Sequence, residues 1–391
     1  MAPMPGTITG LEVLLADPPA WAGKAKIGLL SHPPAVDRRF IPSAELLGRL
    51  LGPRLRALFG PQHGFWGDKQ DNMIESADAD HPLTGLRVYS LYGAVRRPTP
   101  EMLEGLEVIL VDLQDVGTRV YTFIQTLKLV MEACARAGIK VVVLDRPNPL
   151  GRAVEGNLLE PDCRSFVGLF ELPMRHGLTV GEAARLLIHR GLDCDLEVVP
   201  MRGYDPLAGW EGTGLPWVMP SPNMPALETA KVYPGQVLWE GTKLSEGRGT
   251  TRPFEIWGAP FIRPHRLAAR MADYDLPGVV LRPIFFEPTF HKHAGETCGG
   301  LFVHVTDRQA FRPYRTSLAL LQAVAGLWPE EFAFREPPYE YETLRRPMDL
   351  ILGRRNLADQ VIQGRDLDEL ESGWAVGLER FKEEAGQCRI Y

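Results

Sequence analysis

The sequence predicts an α/β chain, with a doubly wound, mostly parallel sheet first and a smaller α+β domain after it. Three observations carry this. Val108–Asp112 and Lys140–Leu144 are short, unbroken apolar runs, as expected of strands buried on both faces. Residues 120–138 between them have helical length and end in Gly138, a natural C-terminal stop. Strand, helix and strand in alternation form right-handed βαβ units. Beyond residue 230 the order changes to strands and then a helix. At 391 residues the chain is too long for one ordinary core, so two domains are expected, 1–230 and 231–391.

In chain order, residues 26–31 form the first strand, stopped by His32-Pro33-Pro34. Ser43–Leu51 has apolar residues at helical spacing. Residues 54–59 are the next strand, broken by Gly60-Pro61, and 88–93 a further strand and turn. Thr99 caps a helix with Pro100 at its first position. Residues 151–170 read as irregular. Thr179 and Glu182 make a capping box that opens a helix over 179–191, and 197–201 is a strand. Residues 214–225 hold Pro216, Pro220, Pro222 and Pro225, which excludes helix and central strand and leaves a linker or a rigid wall. Residues 238–255 are a glycine-spaced polar stretch suited to cradling a ligand. Residues 279–285 and 300–305 are strands, and 317–327 a helix.

Composition removes several function classes. A net charge of −6 with no basic run speaks against nucleic acid. No stretch approaches the roughly 20 apolar residues of a membrane span. Five scattered cysteines lack the spacing of thiolate zinc sites or a disulfide framework and suit a reduced compartment. The first thirty or so residues lack the parts of a secretory signal, so the expected location is cytoplasmic. There is no dinucleotide fingerprint, Walker loop or serine-hydrolase elbow, and no cofactor is expected. His291 and His293 have no evident third ligand, so no metal is expected.

What remains is a set of loop acids: Asp68, Asp112, Asp115, Asp145, Glu155, Glu240 and Glu246. Glycoside hydrolysis needs such groups, one to protonate the leaving oxygen and one to attack or stabilise the sugar carbon. Trp66, Tyr121, Trp217, Trp239 and Trp257 offer faces for a sugar ring. The competing reading for each acid is a salt bridge to Arg119, Arg146, Arg248 or Arg252, and for each tryptophan a place in the core.

The segments PQHGFWGD (61–68), VDLQDVGTRVYTFIQT (111–126), VLDRPNPLG (143–151), LPWVMPSPNMPALET (215–229), EGTKLSEGRGTTRPFE (240–255) and KHAGETCGG (292–300) resemble the NamZ family of exo-β-N-acetylmuramidases. The resemblance runs from about residue 26 to the C-terminus. It implies a Rossmann-like N-terminal domain, a smaller C-terminal α/β domain and an active site in the cleft near their junction. It also implies cofactor-free release of a terminal β-1,4-linked N-acetylmuramic acid from the non-reducing end of peptidoglycan fragments, so the expected partner is a muropeptide or muramyl glycan. On this resemblance Glu155 is the expected catalytic carboxylate, assisted by Asp112 or Asp115, with His63 on the reacting sugar. Arg119, Arg248 and Arg252 would hold the lactyl carboxylate. Asn223, Glu240 and Glu246 would line the opposite wall, with Trp66, Asp68, Tyr121 and His293 among the binding residues. One departure stands out: Gln62 occupies the place of the glutamate in the family's Pro-Glu-His-Gly, and an amide cannot serve as acid, base or nucleophile. A muropeptide-binding homologue with little or no activity is therefore the second reading.

Overall fold

The computed structural model describes residues 6–71 and 73–391. Its centre is a seven-stranded sheet built from β1 (Ile27–Ser31), β2 (Leu55–Gly60), β3 (Ala79–Asp80), β4 (Arg87–Ser90), β5 (Val108–Asp112), β6 (Lys140–Leu144) and β9 (Leu196–Val199). The spatial order is β3-β4-β2-β1-β5-β6-β9, and only the β3–β4 pairing is antiparallel. All five residues of β1 and of β5 are buried, as an unbroken apolar run requires when both faces are covered. Alternate side chains feed two cores. Ile27 and Leu29 pack with helices Gly10–Ala16 and Ser43–Leu51 on one face. Leu30 joins the larger cluster on the other face, with residues of helices Phe123–Ala137 and Val180–His189.

That larger cluster does not stop at the sheet. It continues through Trp239, Trp257, Leu318 and Leu350, so apolar packing joins the first half of the chain to the second. The second half carries an antiparallel sheet, β10 (Ile256–Ala259), β12 (Cys298–Val305) and β11 (Val279–Phe286), in that spatial order. Helices Leu227–Gln236 and Pro264–Met271 pack on it, and helix Pro313–Leu327 packs on those two helices. Helix Leu367–Cys388 returns to the first half, against the hairpin of β7 (Glu155–Leu158) and β8 (Pro173–Arg175).

Three expectations shift. The helix after β5 begins at Phe123, not residue 120, because the Arg119 N–H goes to the Met174 carbonyl at 2.8 Å and holds the chain open. It does end at Gly138, whose φ of 66° is one that glycine adopts without strain. The span 151–170, expected to be irregular, contains β7. The helix expected at 317–327 starts four residues earlier, with Pro313 in its first turn. The capping box is present as read: Thr179 Oγ1 accepts from the Glu182 N–H at 3.2 Å and Glu182 accepts from the Thr179 N–H at 3.0 Å. Among the described residues no helix is long and apolar enough to cross a membrane.

Candidate active site

The chain connects β1 to β2 on one side of the sheet, whereas β5 pairs with β1 on the other, so the winding reverses at β1 and β5. Loops leaving the carboxyl ends of strands at such a reversal diverge and open a crevice. Here the crevice receives the loop after β2, the loop after β5, the proline-rich stretch and two segments of the second half. Gln62, His63, Val120–Phe123 (120–123), Ser221, Asn223, Tyr233, Glu240, Arg248, Tyr339 and Glu340 are among the residues lining a recess of about 440 Å³, including the solvent at its mouth.

The loop after β2 is sharply folded. A Cβ on Gly60 would lie 2.7 Å from the Phe65 nitrogen, and His63 has a φ of 71°, a conformation costly for a residue with a side chain. His63 Nδ1 lies 2.7 Å from the Lys69 carbonyl. Burial pushes its pKa down to about 4, against the opposing pull of that carbonyl. The imidazole is therefore neutral near pH 7 and presents an uncharged polar edge. The proline-rich stretch is a wall, not a linker: Asn223 donates to the Gln70 carbonyl at 2.7 Å and accepts from the Gln70 amide at 3.2 Å.

The opposite wall is charged. Arg248 Nη2 bonds Glu240, and Arg248 Nε bonds Glu246 at 3.0 Å. Arg248 Nη1 lies 3.5 Å from Asp71 and has no hydrogen-bond partner among the described residues. Burial would weaken the guanidinium's charge, but Glu240, Glu246 and Asp71 outweigh it and raise its pKa. Glu246 sits behind Arg248. Burial works to raise its pKa, yet Lys292 at 2.8 Å, Arg248 and His291 hold it at about 2. The other oxygen of Glu240 accepts from the Tyr339 hydroxyl at 2.7 Å.

Glu340, absent from the expectations, completes the ring. It is 4 % exposed. Its Oε1 accepts from Gln62 Nε2 at 3.0 Å and its Oε2 from the Tyr92 hydroxyl at 2.6 Å. Burial pushes its pKa up to about 7; the bonds from Tyr92 and Gln62 resist that rise and nearby Glu240 adds to it. Glu340 and Tyr341 have φ of 47° and 67° and are the two central residues of a turn closed by paired backbone bonds between Tyr339 and Glu342. Two-residue turns of this kind favour Asn-Gly, since both positions need positive φ. A Glu-Tyr pair there is held by its surroundings: the Arg96 guanidinium lies over the Tyr341 and Tyr92 rings, at 3.9 and 4.5 Å. The sequence signal is Pro-Pro-Tyr-Glu-Tyr-Glu (337–342), a stretch with no periodicity to single it out.

Of the expected site residues, Gln62, His63, Tyr121, Asn223, Glu240 and Arg248 meet at the recess, with Glu246 directly behind. The others stand elsewhere, each with other partners. Asp112 is fully buried in a two-pronged ion pair with Arg146. Asp115 accepts the Gly117 N–H at 2.6 Å and lies 3.4 Å from His176. Arg119 is fully buried, and its guanidinium donates to the carbonyls of Asn157, Leu172 and Ile351 at 2.8–3.1 Å, so it faces no ligand. Glu155 accepts the Arg315 N–H at 2.9 Å, at the start of helix Pro313–Leu327, and is not part of the lining. Trp66 and Asp68 border a separate pocket alongside β2. Arg252 is half exposed beside Glu255, and His293 Nε2 meets the Lys243 carbonyl at 2.9 Å. Trp239 and Trp257 stack on each other in the core at 4.1 Å and offer no face to a sugar.

Two family models, the N-terminal and C-terminal parts of exo-beta-N-acetylmuramidase NamZ, match residues 27–228 and 231–391. The chain belongs to the NamZ family. Among curated relatives it is 40% identical, over all of its own length and 92% of the other's, to the peptidoglycan beta-N-acetylmuramidase NamZ of Bacillus subtilis. Among solved structures it resembles two DUF1343 family proteins of Bacteroides fragilis. One has a TM-score of 0.90 at 32% identity with both chains fully covered. The other has a TM-score of 0.74 at 27% identity, covering 98% of this chain and 99% of that one. This membership supports a glycoside hydrolase function and a peptidoglycan-related substrate.

Proposed function

We propose that this NamZ-family chain releases terminal β-1,4-linked N-acetylmuramic acid from the non-reducing end of peptidoglycan fragments, at the recess between residues 1–230 and 231–391. One observation carries the reading: every segment that builds the recess lies within the matched ranges, on both sides of position 230. The chemistry agrees with it. Arg248 is the member of the expected arginine trio that lines the recess, and its Nη1, which makes no hydrogen bond among the described residues and lies 3.5 Å from Asp71, could bond a carboxylate such as the lactyl group of a muramic acid. Neutral His63, Asn223 and Gln62 suit sugar hydroxyls and the acetamido group. The test is release of N-acetylmuramic acid from a chromogenic muramide, with the matching glucosaminide, which lacks the lactyl carboxylate, as control. Turnover of the muramide alone supports the reading, and equal turnover of both removes Arg248 from its role.

Gln62 motivates a second reading, a protein that binds muropeptides without cutting them. Calorimetry with a muramyl disaccharide separates the two: lasting binding heat with an intact disaccharide favours the binder, and rapid cleavage dismisses it.

A further inference from the structure

We infer that Glu340 is the proton-donating carboxyl of this site and that Gln62 is its positioning residue. The inference rests on the hydrolase reading above. Three features of the geometry support it. Glu340 is a buried carboxyl in the recess lining whose hydrogen bonds come from neutral partners, Gln62 and Tyr92, whereas Glu240 and Glu246 are tied to Arg248. An acid whose hydrogen bonds come from neutral groups keeps its proton more readily, and here burial outweighs the opposing charge of nearby Arg96. It is also held on a turn whose two central residues both have positive φ, and such backbone conformations cluster where a side chain must be aimed.

The third feature is the amide itself. Gln62 Oε1 accepts from the Thr122 hydroxyl while its Nε2 donates to Glu340. That arrangement suits an ionised Glu340. If the amide turns over about its last bond, Nε2 donates to the Thr122 oxygen and Oε1 accepts the proton of a neutral Glu340. A hydroxyl can play either part, so Gln62 can pair with Glu340 in both protonation states. A carboxylate at position 62 would repel ionised Glu340. The amide therefore suits a single acid that gives up and regains a proton.

In the step this implies, the Glu340 proton passes to the glycosidic oxygen as the bond from C1 to that oxygen breaks, its electron pair staying with the oxygen. Water adds to C1, and the proton it releases restores the carboxyl, so hydrolysis is proton-neutral overall. Burial that raises the Glu340 pKa to about 7 keeps a protonated fraction available near neutrality.

The experiment compares the parent with Glu340→Gln on two substrates, a muramyl disaccharide with a poor leaving group and a dinitrophenyl muramide whose phenolate leaves unprotonated. The disaccharide rate should fall by roughly 10²–10⁴-fold and the dinitrophenyl rate by less than about tenfold. Equal losses on both, or no loss on the disaccharide, overturn the assignment while leaving the hydrolase reading intact. A parent inactive on both substrates removes the hydrolase reading and this inference with it. Gln62→Glu gives a second, independent readout. The added carboxyl should move the basic limb of the pH profile upward, since a like charge holds the Glu340 proton on more firmly. An unmoved limb overturns the positioning role.

Discussion

The acids after β5 and the acids brought in by the second half of the chain have opposite fates. Asp112 and Asp115 stand where an open α/β sheet is expected to hold its ligand. Yet one is locked by Arg146 and the other by a backbone N–H beside His176. Glu240 and Glu340 arrive from far along the chain and line the recess. Being at the carboxyl end of a strand is thus not enough. The first pair is absent from the lining of the recess, and both oxygens of Asp112 are taken up by Arg146. The second pair is hydrogen-bonded as well, to Arg248, Tyr339, Gln62 and Tyr92, but it lines the space a sugar would fill.

This contrast can be broken by substitution. The largest effect should come from Asp112→Ala, which leaves Arg146 charged and buried without its partner. Chemical denaturation should show a loss of about 3–5 kcal/mol, while the rate per folded molecule on a muramide stays within a few-fold. A stable variant with no activity would place Asp112 among the acids that meet substrate. Glu240→Gln should do the reverse. Turnover should drop by roughly 10²–10³-fold, the range seen when one preorganised polar group is removed from a site, with a smaller stability loss than for Asp112→Ala, because Arg248 keeps Glu246 as a partner. Retained turnover would dissolve the contrast.

Linkage sharpens the comparison further. Glu340 has a folded pKa of about 7 against an ordinary value of 4.5. A raised pKa means that the folded state holds the proton more tightly than the unfolded chain. Its contribution is therefore full below pH 4.5 and is lost as pH rises through about 7. Over that window the parent should lose stability relative to Glu340→Gln, by about 3 kcal/mol. Parallel denaturation curves from pH 4 to 8 check this, and a constant difference would show that Glu340 is not a shifted acid. The smallest effect belongs to Glu155→Gln. The bond from the Arg315 N–H survives to an amide oxygen, so only the charge at the helix start is lost, about 1 kcal/mol. Muramide turnover should stay near the parent's, and abolished turnover would return Glu155 to the site.

Much of the frame was legible because it depends on short-range rules. Unbroken apolar runs identified β1, β5 and β6, and the Thr179–Glu182 box and Gly138 marked helix ends where they are found. The loop Gln62–His63 was legible as a candidate because a glycine and a proline end the strand just before it, and it does line the recess. The roles of the acids were not legible, since each is decided by a partner distant in sequence. Glu155 receives an N–H 160 residues away. Arg119, with two acids just before it at a strand end, had the look of a ligand-holding residue, but the three carbonyls that use its guanidinium are invisible in composition or spacing. Glu340 lay hidden for the opposite reason: its burial and left-handed turn exist only once Tyr92, Arg96 and Gln62 have been brought around it.

The Arg119 guanidinium also bears on ancestry. The two family models part between positions 228 and 231, a clean line on paper. A single side chain before that line holds two carbonyls on its own side and the Ile351 carbonyl beyond it. A Cβ on Gly353, next to that third carbonyl, would come within 2.6 Å of the same guanidinium. Exchanging one half for that of a distant relative would strand a buried charge unless position 353 came across as glycine with its carbonyl neighbours in register. Chimeras between relatives should survive where this clasp is copied whole and fail to fold where it is split.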